Sequence, residues 1–359
     1  MSHWLDQAQQ RDAMVAELGD SPLALDTEFI RERTYYPRLA LVQLRAVDGE
    51  AFLIDPVALP DAGSLAKVLR GPSLKIMHSP SEDIQSFQHG WKLVIDPVFD
   101  TQLAAALVGF GPGKSYQALV EELLGIHLEK GETRSDWLQR PLTQSQQRYA
   151  ADDVLYLHAM HDLLDRRLRE LGRSDWLRQD CARLVESASR DALDPNPHLA
   201  SRAAQRMDAS AQAMLRRLMV WREVMARQHD RPRSWILDNE LLVELASHPL
   251  TRSAFDTLLD RHPRAPRRSR DELWQAFSRP LSDEDLSIPM ATMPAPSLRA
   301  PLKAMQACVL EHATALNIPE GLLCAKRHLE TLLQERHWPD ALHGWRSEIL
   351  EADLMALLP

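Results

Sequence analysis

The amino-acid sequence predicts an α/β domain with a mixed sheet flanked by helices, followed by two all-α domains. Strand-like runs are concentrated within residues 1–100, where several come first and later ones are interleaved with helical segments. That order is typical of a mixed sheet covered by helices. Beyond residue 190 the apolar residues follow helical spacing, interrupted by prolines, and almost no strand pattern remains.

The first strands are indicated by short runs of β-forming residues. Residues 21–30 alternate over their latter half, and residues 39–44 and 51–56 are two further runs. Asp48-Gly49 separates the second run from the third, and an Asp-Gly pair between β-rich runs is a strong hairpin signal. We therefore predict that these segments begin the sheet.

Helical and strand-like segments then alternate along the chain. The predicted bounds are a strand at 74–78, a helix at 79–90, an extended segment at 93–100, and helices at 101–109 and 115–124. One long amphipathic helix is predicted from 144 to 171, because Thr143 and Gln146 form a capping box and apolar residues recur every three or four positions. Gly172 is placed to end that helix.

Two proline-containing polar segments, 191–207 and 282–299, divide the chain and indicate linkers. We therefore predict an α/β domain at 1–190 and helical domains at 208–281 and 300–359. The two helical blocks each contain an amphipathic helix, then a proline, then a second helical stretch, which indicates a weak internal duplication.

Charge and cysteine content restrict the class of protein. The 359-residue chain has a net charge of −9, of which residues 1–190 contribute −7, so the acid excess lies where metal-binding carboxylates would have to cluster. The three cysteines are far apart and form no CxxC pair, so we expect free thiols and no structural zinc site. Neither a signal-peptide pattern nor an apolar run long enough for a bilayer is present, so we expect a cytoplasmic protein without membrane contact. No feature requires an oligomer, and we expect a monomer.

The first candidate site is the pair Asp26 and Glu28. Residues two apart on a strand point to the same face, where two carboxylates repel each other unless a cation lies between them. Oxygen ligands of this kind suit Mg²⁺ or Mn²⁺. A D-x-E pair by itself is more often an ordinary pair of solvent-facing acids.

The second candidate is Asp83. We predict Ser79 as the cap of the helix that follows the strand at 74–78, with Pro80 as its first residue, which places Asp83 in the first turn. Open α/β sheets bind ligands at that edge. The alternative is an acid that only complements the helix dipole.

The third candidate is the pair Tyr149 and Asp153. Four residues apart on the long predicted helix, they are neighbours on one face, whereas Asp152 points elsewhere. A phenol and a carboxylate can therefore reach the same point. The alternative is a buried tyrosine beside a surface acid.

Together these residues carry a resemblance to a known family. Four carboxylates and a tyrosine in this order resemble the DEDD superfamily of 3′–5′ exonucleases, and a tyrosine four residues before the last aspartate marks its tyrosine subclass. The segments ALDTEFIRERTYYPRLALVQL (24–44), HSPSEDIQSF (78–87) and YAADDVLYL (149–157) are similar to the ribonuclease D family. Residues 214–246 resemble the HRDC helical module, and residues 300–358 resemble a more diverged copy. The resemblance implies a ribonuclease H-like exonuclease domain followed by two HRDC-like domains.

The resemblance also implies how the site acts. The ligands of two divalent metal ions, Mg²⁺ or Mn²⁺, would be Asp26, Glu28, Asp83 and Asp153. One ion would activate a water molecule and the other would stabilise the leaving 3′-oxygen. Tyr149 would orient the water, because a phenol with a pKa near 10 is a poor base at neutral pH. The products would be nucleoside 5′-monophosphates released from the 3′ end.

RNA is the substrate that the resemblance implies, in particular tRNA precursors and other small structured RNAs whose 3′ ends are processed. Residues 261–270 carry five arginines, which suit phosphate contacts but also a solvated loop. Phe29 follows the D-x-E pair and is a candidate for stacking on a terminal base, the alternative being a core position. The arginines that we expect to contact RNA are Arg216, Arg217, Arg264, Arg267 and Arg268.

Two other functions stay open from the sequence alone. A DNA 3′–5′ exonuclease would use the same metal chemistry, and a contact to the 2′-hydroxyl cannot be recognised in the residues. A non-catalytic RNA-binding scaffold is the second, although such proteins usually lose one or more of the carboxylates, and all four are present here.

Overall fold

The computed structural model describes residues 2–129, 131–132, 135–262, 265–293 and 295–359. The chain forms two compact units. Unit 1 comprises Met1–Ile30, Pro37–Arg190 and Ala295–Pro359, and unit 2 comprises Arg31–Tyr36 and Asp191–Pro294. Within the described ranges, no helix combines the length and apolar character needed to cross a membrane.

Unit 1 is built on a mixed sheet. Its strands are β1 (Ser2–Leu5), β2 (Leu23–Ile30), β3 (Arg38–Ala46), β4 (Ala51–Ile54), β5 (Lys75–Met77) and β6 (Val98–Asp100). The strand order is β1-β4-β3-β2-β5-β6, with β2, β3 and β4 antiparallel and the remaining pairs parallel. The predicted hairpin is present, and Asp48 in its turn has a positive φ of 56°. The mixed sheet predicted from the sequence is therefore confirmed, whereas β1 was not predicted.

Helices flank this sheet and make up unit 2. Their bounds are α1 (Ala8–Glu17), α2 (Leu65–Arg70), α3 (Ser81–Gly90), α4 (Thr101–Leu107), α5 (Tyr116–Leu124), α6 (Gln144–Leu155), α7 (Leu157–Glu170), α8 (Ser174–Ser189), α9 (Ala209–Gln228), α10 (Arg233–Ile236), α11 (Asn239–Ser247), α12 (Arg252–Arg261), α13 (Arg270–Ser278), α14 (Asp283–Leu286), α15 (Arg299–Leu316), α16 (Glu320–Leu323), α17 (Lys326–Glu335) and α18 (Trp345–Ala356). Helices α9 to α14 lie in unit 2, and the others lie in unit 1.

The long helix predicted from 144 to 171 is two helices, α6 and α7, which meet at Tyr156. The hydroxyl of Tyr116 donates to the carbonyl oxygen of Asp152 at 2.8 Å and accepts from the backbone N–H of Tyr156 at 3.2 Å. It therefore occupies the place of the helical hydrogen bond between those two residues, an insertion that bends helices. The prediction of one continuous helix was wrong because the interrupting side chain comes from α5.

Helices α15 to α18 pack against the rest of unit 1. The guanidinium of Arg346 on α18 and the carboxylate of Asp180 on α8 form a buried ion pair at 2.6 Å. Beside it the rings of Trp176 and Trp345 stack with their centroids 4.4 Å apart. Residues 300–359, predicted as a second helical domain, thus lie in the same compact unit as the sheet, and their origin as a second HRDC-like module stays a prediction.

Unit 2 is all-α and includes a short segment from the early part of the chain. The segment Arg31–Tyr36 belongs to this unit, where the hydroxyl of Tyr35 donates to the carboxylate of Glu223. The predicted linker at 191–207 is partly packed, since His198 is fully buried and its Nε2 lies 2.8 Å from the carbonyl oxygen of Pro289. Unit 2 therefore extends over both predicted linkers at its ends.

Candidate active site

Three carboxylates meet at the end of the central strand. Asp26 and Glu28 lie two residues apart on β2, and Asp153 lies on α6. One oxygen from each lies within 4.8 Å of the other two. Directly after Glu28 the register of β2 against β3 shifts, which is a bulge of the kind that redirects side chains near functional sites. The structure therefore brings together the predicted D-x-E pair and the predicted helical aspartate.

Asp83 lies beside this group but is held separately. It occupies the first turn of α3 and is buried, as the sequence indicated. The hydroxyl of Thr27 donates a hydrogen bond to Asp83 Oδ1. Because Thr27 alternates with Asp26 and Glu28 along β2, its side chain leaves the opposite face of the strand. The three-carboxylate group therefore does not include Asp83 in this structure, although Asp83 raises the pKa of both Asp26 and Glu28.

The start of α3 differs from the prediction. Pro80 precedes the helix, which begins at Ser81, and no side chain caps it. Ser79 instead has a φ of 56°, and its backbone N–H donates to Asp100 Oδ1 at 2.9 Å. The prediction of Ser79 as the cap was wrong, because its N–H is directed to the end of β6.

The acidic site accumulates unfavourable negative charge. Burial, followed by repulsion from Asp153 and Asp83, raises the pKa of Glu28 to about 9. Burial is also the main cause that raises the pKa of Asp153 to about 7 and of Asp83 to about 6. The pKa of Asp26 is raised by burial and by repulsion from its three acidic neighbours. A bound cation would reverse this balance, since opposite charge favours the ionised carboxylates.

The donor set fits a hard divalent cation. Asp26, Glu28 and Asp153 supply only carboxylate oxygens, the ligands that Mg²⁺ and Mn²⁺ prefer. Their convergence without a neutralising arginine or lysine among the causes of their pKa shifts leaves the repulsion uncompensated by protein groups. These residues therefore fit a metal ion.

Tyr149 is directed to the same point. Its hydroxyl is hydrogen-bonded to the carboxylate of Asp153, one helical turn later. Burial and the nearby carboxylates raise the pKa of Tyr149, so the phenol stays protonated at neutral pH and serves as a donor. A Cβ atom built on Gly131 would lie 2.3 Å from Cδ2 of Tyr149, so the backbone at Gly131 lies directly against the ring.

A cavity of about 540 Å³ opens beside Tyr149 and Asp153. Its wall includes Arg148 from α6 and residues 127–129 and 131–132 from the segment after α5. The volume lies in the range of small-ligand sites. The cavity therefore gives a substrate a place to lie against the hydroxyl of Tyr149.

Three residues near the site were missed from the sequence. Thr27 stands between the D-x-E carboxylates, Tyr116 interrupts the helix after Asp153, and Gly131 supports Tyr149. The middle position of D-x-E could have indicated Thr27, whereas no sequence signal marks the other two.

His78, for which we favoured a structural role, ends up next to Tyr116. Its Nδ1 lies 2.9 Å from Thr101 Oγ1 and its Nε2 lies 3.0 Å from the carbonyl oxygen of Lys114. Burial lowers the pKa of His78 to about 4, so the ring is neutral at physiological pH. Both ring nitrogens have protein partners, which fits the structural role.

The residues predicted to contact RNA are placed differently from one another. Arg217 is buried, and its guanidinium donates to three backbone carbonyl groups and to Asp285, all within unit 2. An RNA contact by Arg217 would break these bonds. Arg216 is half-buried and Arg267 and Arg268 are exposed, whereas Arg264 lies outside the described residues.

Two aromatic predictions also have definite positions. Phe29 is half-buried on β2, immediately after the bulge that follows Glu28. Tyr35, considered for base stacking, is buried within unit 2, and its hydroxyl is bonded to Glu223. The ring of Tyr35 therefore serves the packing of unit 2.

Known proteins resemble both parts of this architecture. A family model described as "3'-5' exonuclease" matches residues 2–169, and one described as "HRDC domain" matches residues 211–276. The chain is 46% identical to ribonuclease D from Xanthomonas oryzae pv. oryzae, with 100% of this chain and 99% of that protein covered. It is 38% identical to ribonuclease D from Pseudomonas paraeruginosa, with coverage of 94% and 92%. The crystal structure of Escherichia coli RNase D, described as an exoribonuclease involved in structured RNA processing, superposes with a TM-score of 0.86 at 27% identity, covering 99% of this chain and 98% of that one.

Proposed function

The chain belongs to the ribonuclease D family, and we propose that its acidic site removes nucleotides from the 3′ end of RNA by hydrolysis that depends on divalent metal ions. The observation that carries this proposal is the convergence of Asp26, Glu28 and Asp153 within 4.8 Å, with the hydroxyl of Tyr149 bonded to Asp153. The family supplies the direction of attack, and the site supplies the chemistry.

The four carboxylates Asp26, Glu28, Asp83 and Asp153 would hold two divalent ions, Mg²⁺ or Mn²⁺. When bound, such ions supply Lewis-acid stabilisation of the phosphodiester and lower the pKa of a water molecule. The carboxylates themselves fix the position of the scissile phosphate relative to β2 and α6. Thr27 orients Asp83 through its hydroxyl, so that this carboxylate faces the group from a fixed angle.

Tyr149 acts on the attacking water. With its raised pKa the phenol keeps its proton, so it does not serve as the general base at neutral pH. Its hydroxyl, already fixed by Asp153, orients the water in line with the phosphate and keeps the leaving group on the opposite side. Gly131 allows the ring to lie close to the backbone and thereby sets its position.

The substrate that we propose is structured RNA with a 3′ extension, in particular tRNA precursors. The relative of known structure is described as acting in structured RNA processing. In unit 2 we propose phosphate contacts by Arg216, Arg267 and Arg268, of which the last two are exposed. Phe29, which follows the carboxylates on β2, is proposed to stack on the terminal base.

The test compares a 3′-extended tRNA with single-stranded DNA of matched sequence, both labelled at the 5′ end, in Mg²⁺ and in EDTA. We expect a ladder of products shortened one nucleotide at a time, formed from RNA in Mg²⁺ only. Equal digestion of DNA would instead support a DNA exonuclease, and no digestion of either substrate in Mg²⁺ or Mn²⁺ would support a non-catalytic RNA-binding scaffold.

Two variants assign the activity to this site. Asp26→Asn is expected to abolish the ladder while the Tm measured in EDTA stays unchanged or rises, because one of several repelling buried charges is removed. Asp152→Asn is the matched control, since this neighbouring aspartate lies on the same helix and outside the three-carboxylate group. Wild-type activity in Asp26→Asn would refute the assignment.

A further inference from the structure

The C-terminal helices carry a second cluster of potential metal ligands, formed by Cys308, His312 and Asp353, which we call the Cys308 cluster. Among the described residues, only this cluster and the acidic site bring three such side chains together, and one ligand atom of each residue lies within 4.8 Å of the other two. His312 Nε2 and Asp353 Oδ2 are 2.8 Å apart. The cluster lies outside the proposed catalytic machinery.

The backbone holds these three residues in a fixed arrangement. Cys308 and His312 are four residues apart on α15 and therefore face the same way. Each is followed by a buried residue, Val309 and Ala313 respectively, which anchors α15 in the core. Asp353 projects from α18, which packs against α15. Only side-chain rotation is needed to adjust the three ligand atoms.

The chemistry of the cluster differs from that of the acidic site. A thiolate, an imidazole and a carboxylate are the ligands of zinc and related transition metals, whereas carboxylates alone suit Mg²⁺. A tetrahedral ion with bonds of about 2.0–2.3 Å separates its ligand atoms by about 3.3–3.8 Å, which small rotations from the present distances achieve. Three protein ligands leave one position for water.

An ion can reach the cluster from solvent. The side chain of His312 is 32% exposed and that of Asp353 is 58% exposed. Cys308 is half-buried beside them. The absence of a CxxC pair led us to expect no structural zinc site, but that pattern covers only cysteines close in sequence, whereas Asp353 comes from a different helix.

We propose that the Cys308 cluster binds a zinc-like divalent transition metal ion that joins α15 to α18. The ion takes the thiolate of Cys308, one ring nitrogen of His312 and one oxygen of Asp353. By linking the last helix of the chain to α15, it stabilises the C-terminal part of unit 1. This role is independent of the proposed nuclease reaction.

Cobalt(II) is the probe that distinguishes the two sites. A thiolate bound to Co²⁺ gives a charge-transfer absorption in the near ultraviolet, and the all-oxygen acidic site cannot give one. The full-length protein, stripped with EDTA and dialysed, is titrated with Co²⁺. We expect this absorption to appear in the wild type and in Asp26→Asn, to disappear in Cys308→Ser, and to be displaced by Zn²⁺.

Further variants keep the test independent of the cysteine substitution. His312→Gln and Asp353→Asn are expected to weaken Co²⁺ binding by at least about tenfold. His343→Gln is the matched control, because it removes another histidine paired with an aspartate, Asp340 at 3.5 Å, that belongs to no such cluster among the described residues. In a parallel thermal scan, Zn²⁺ should raise the Tm of the wild type but not of His312→Gln. A missing charge-transfer band, or an unchanged band in Cys308→Ser, would overturn the proposal.

Discussion

The hydroxyl of Thr27 donates a hydrogen bond to the buried carboxylate of Asp83, linking the central strand β2 to the first turn of α3. This bond lowers the pKa of Asp83, which burial raises to about 6 overall. Thr27 therefore connects two of the proposed ligand segments from the face of β2 opposite to Asp26 and Glu28.

Thr27→Val keeps the shape of the side chain and removes the donor. The ionised form of Asp83 then loses a hydrogen bond, so its pKa rises and a higher pH is needed to maintain the carboxylate. We expect activity near pH 6 to fall about 10- to 100-fold, as for other hydrogen bonds to charged groups, with partial recovery as the pH rises. The measurement is the pH profile of kcat/KM. Thr27→Ser keeps the hydroxyl and should restore the wild-type profile, and an unshifted acid limb in Thr27→Val would contradict the role.

Local sequence patterns predicted much of the fold and the centre of the site. The D-x-E pair, the first-turn position of Asp83 and the i, i+4 spacing of Tyr149 and Asp153 are properties of single strands or helices, which periodicity determines. Their convergence at one point was expected only through the family resemblance. The short strand β1 lacked enough residues to give a periodic signal.

The features that were missed depend on contacts between distant segments. The break between α6 and α7 is produced by the hydroxyl of Tyr116, and the apolar pattern runs through it without change. Arg217 lies in a sequence rich in arginine, but its guanidinium is buried against backbone carbonyl groups of unit 2. Composition indicates that arginines are present, and only the packing decides which of them reach solvent.

Removing the hydroxyl of Tyr149 should impair the reaction without abolishing it. Tyr149→Phe keeps the ring against Gly131 and loses the hydrogen bond to Asp153. The attacking water is then oriented less well, and we expect kcat to fall about 100-fold with little change in KM. Single-turnover hydrolysis of a short RNA measures this loss. Full activity in Tyr149→Phe would remove the proposed positioning role.

A methyl group at Gly131 should disturb the same ring without deleting any functional group. The added Cβ would lie 2.3 Å from Cδ2 of Tyr149, so the ring must move. A displacement of about 1 Å can lower kcat about 100-fold. Gly321→Ala is the control, because nothing lies within 4 Å of its added Cβ. If Gly131→Ala and Gly321→Ala were equally active, the position of the ring would be unimportant.

The ion pair between Arg346 and Asp180 should contribute strongly to the stability of unit 1. Both side chains are buried, and the guanidinium contacts both oxygens of Asp180 at 2.6 and 2.9 Å. Arg346→Met leaves the carboxylate unpaired in the interior and is expected to lower the free energy of unfolding by about 3–5 kcal/mol. Urea unfolding followed by tryptophan fluorescence measures this loss. Arg190→Gln, which breaks an exposed pair with Glu186, should cost less than about 1 kcal/mol. Equal effects of the two substitutions would contradict the importance of burial.

Charge reversal at the exposed arginines of unit 2 should separate RNA binding from catalysis. Arg267→Glu combined with Arg268→Glu removes two positive charges that are free of the internal bonds formed by Arg217, so each lost phosphate contact lowers affinity and reduces the salt dependence of binding. We expect binding of a 3′-extended tRNA to weaken about tenfold or more at low salt, while hydrolysis of a dinucleotide stays at the wild-type rate. Filter binding across a series of salt concentrations measures the first quantity, and product release measures the second. Lys303→Glu with Arg327→Glu makes the same change in net charge on exposed residues of the C-terminal helices and serves as the control. If both double variants lost affinity equally, net charge and not this surface would govern binding, and if the first also lost dinucleotide hydrolysis, the proposed division between the two units would fail.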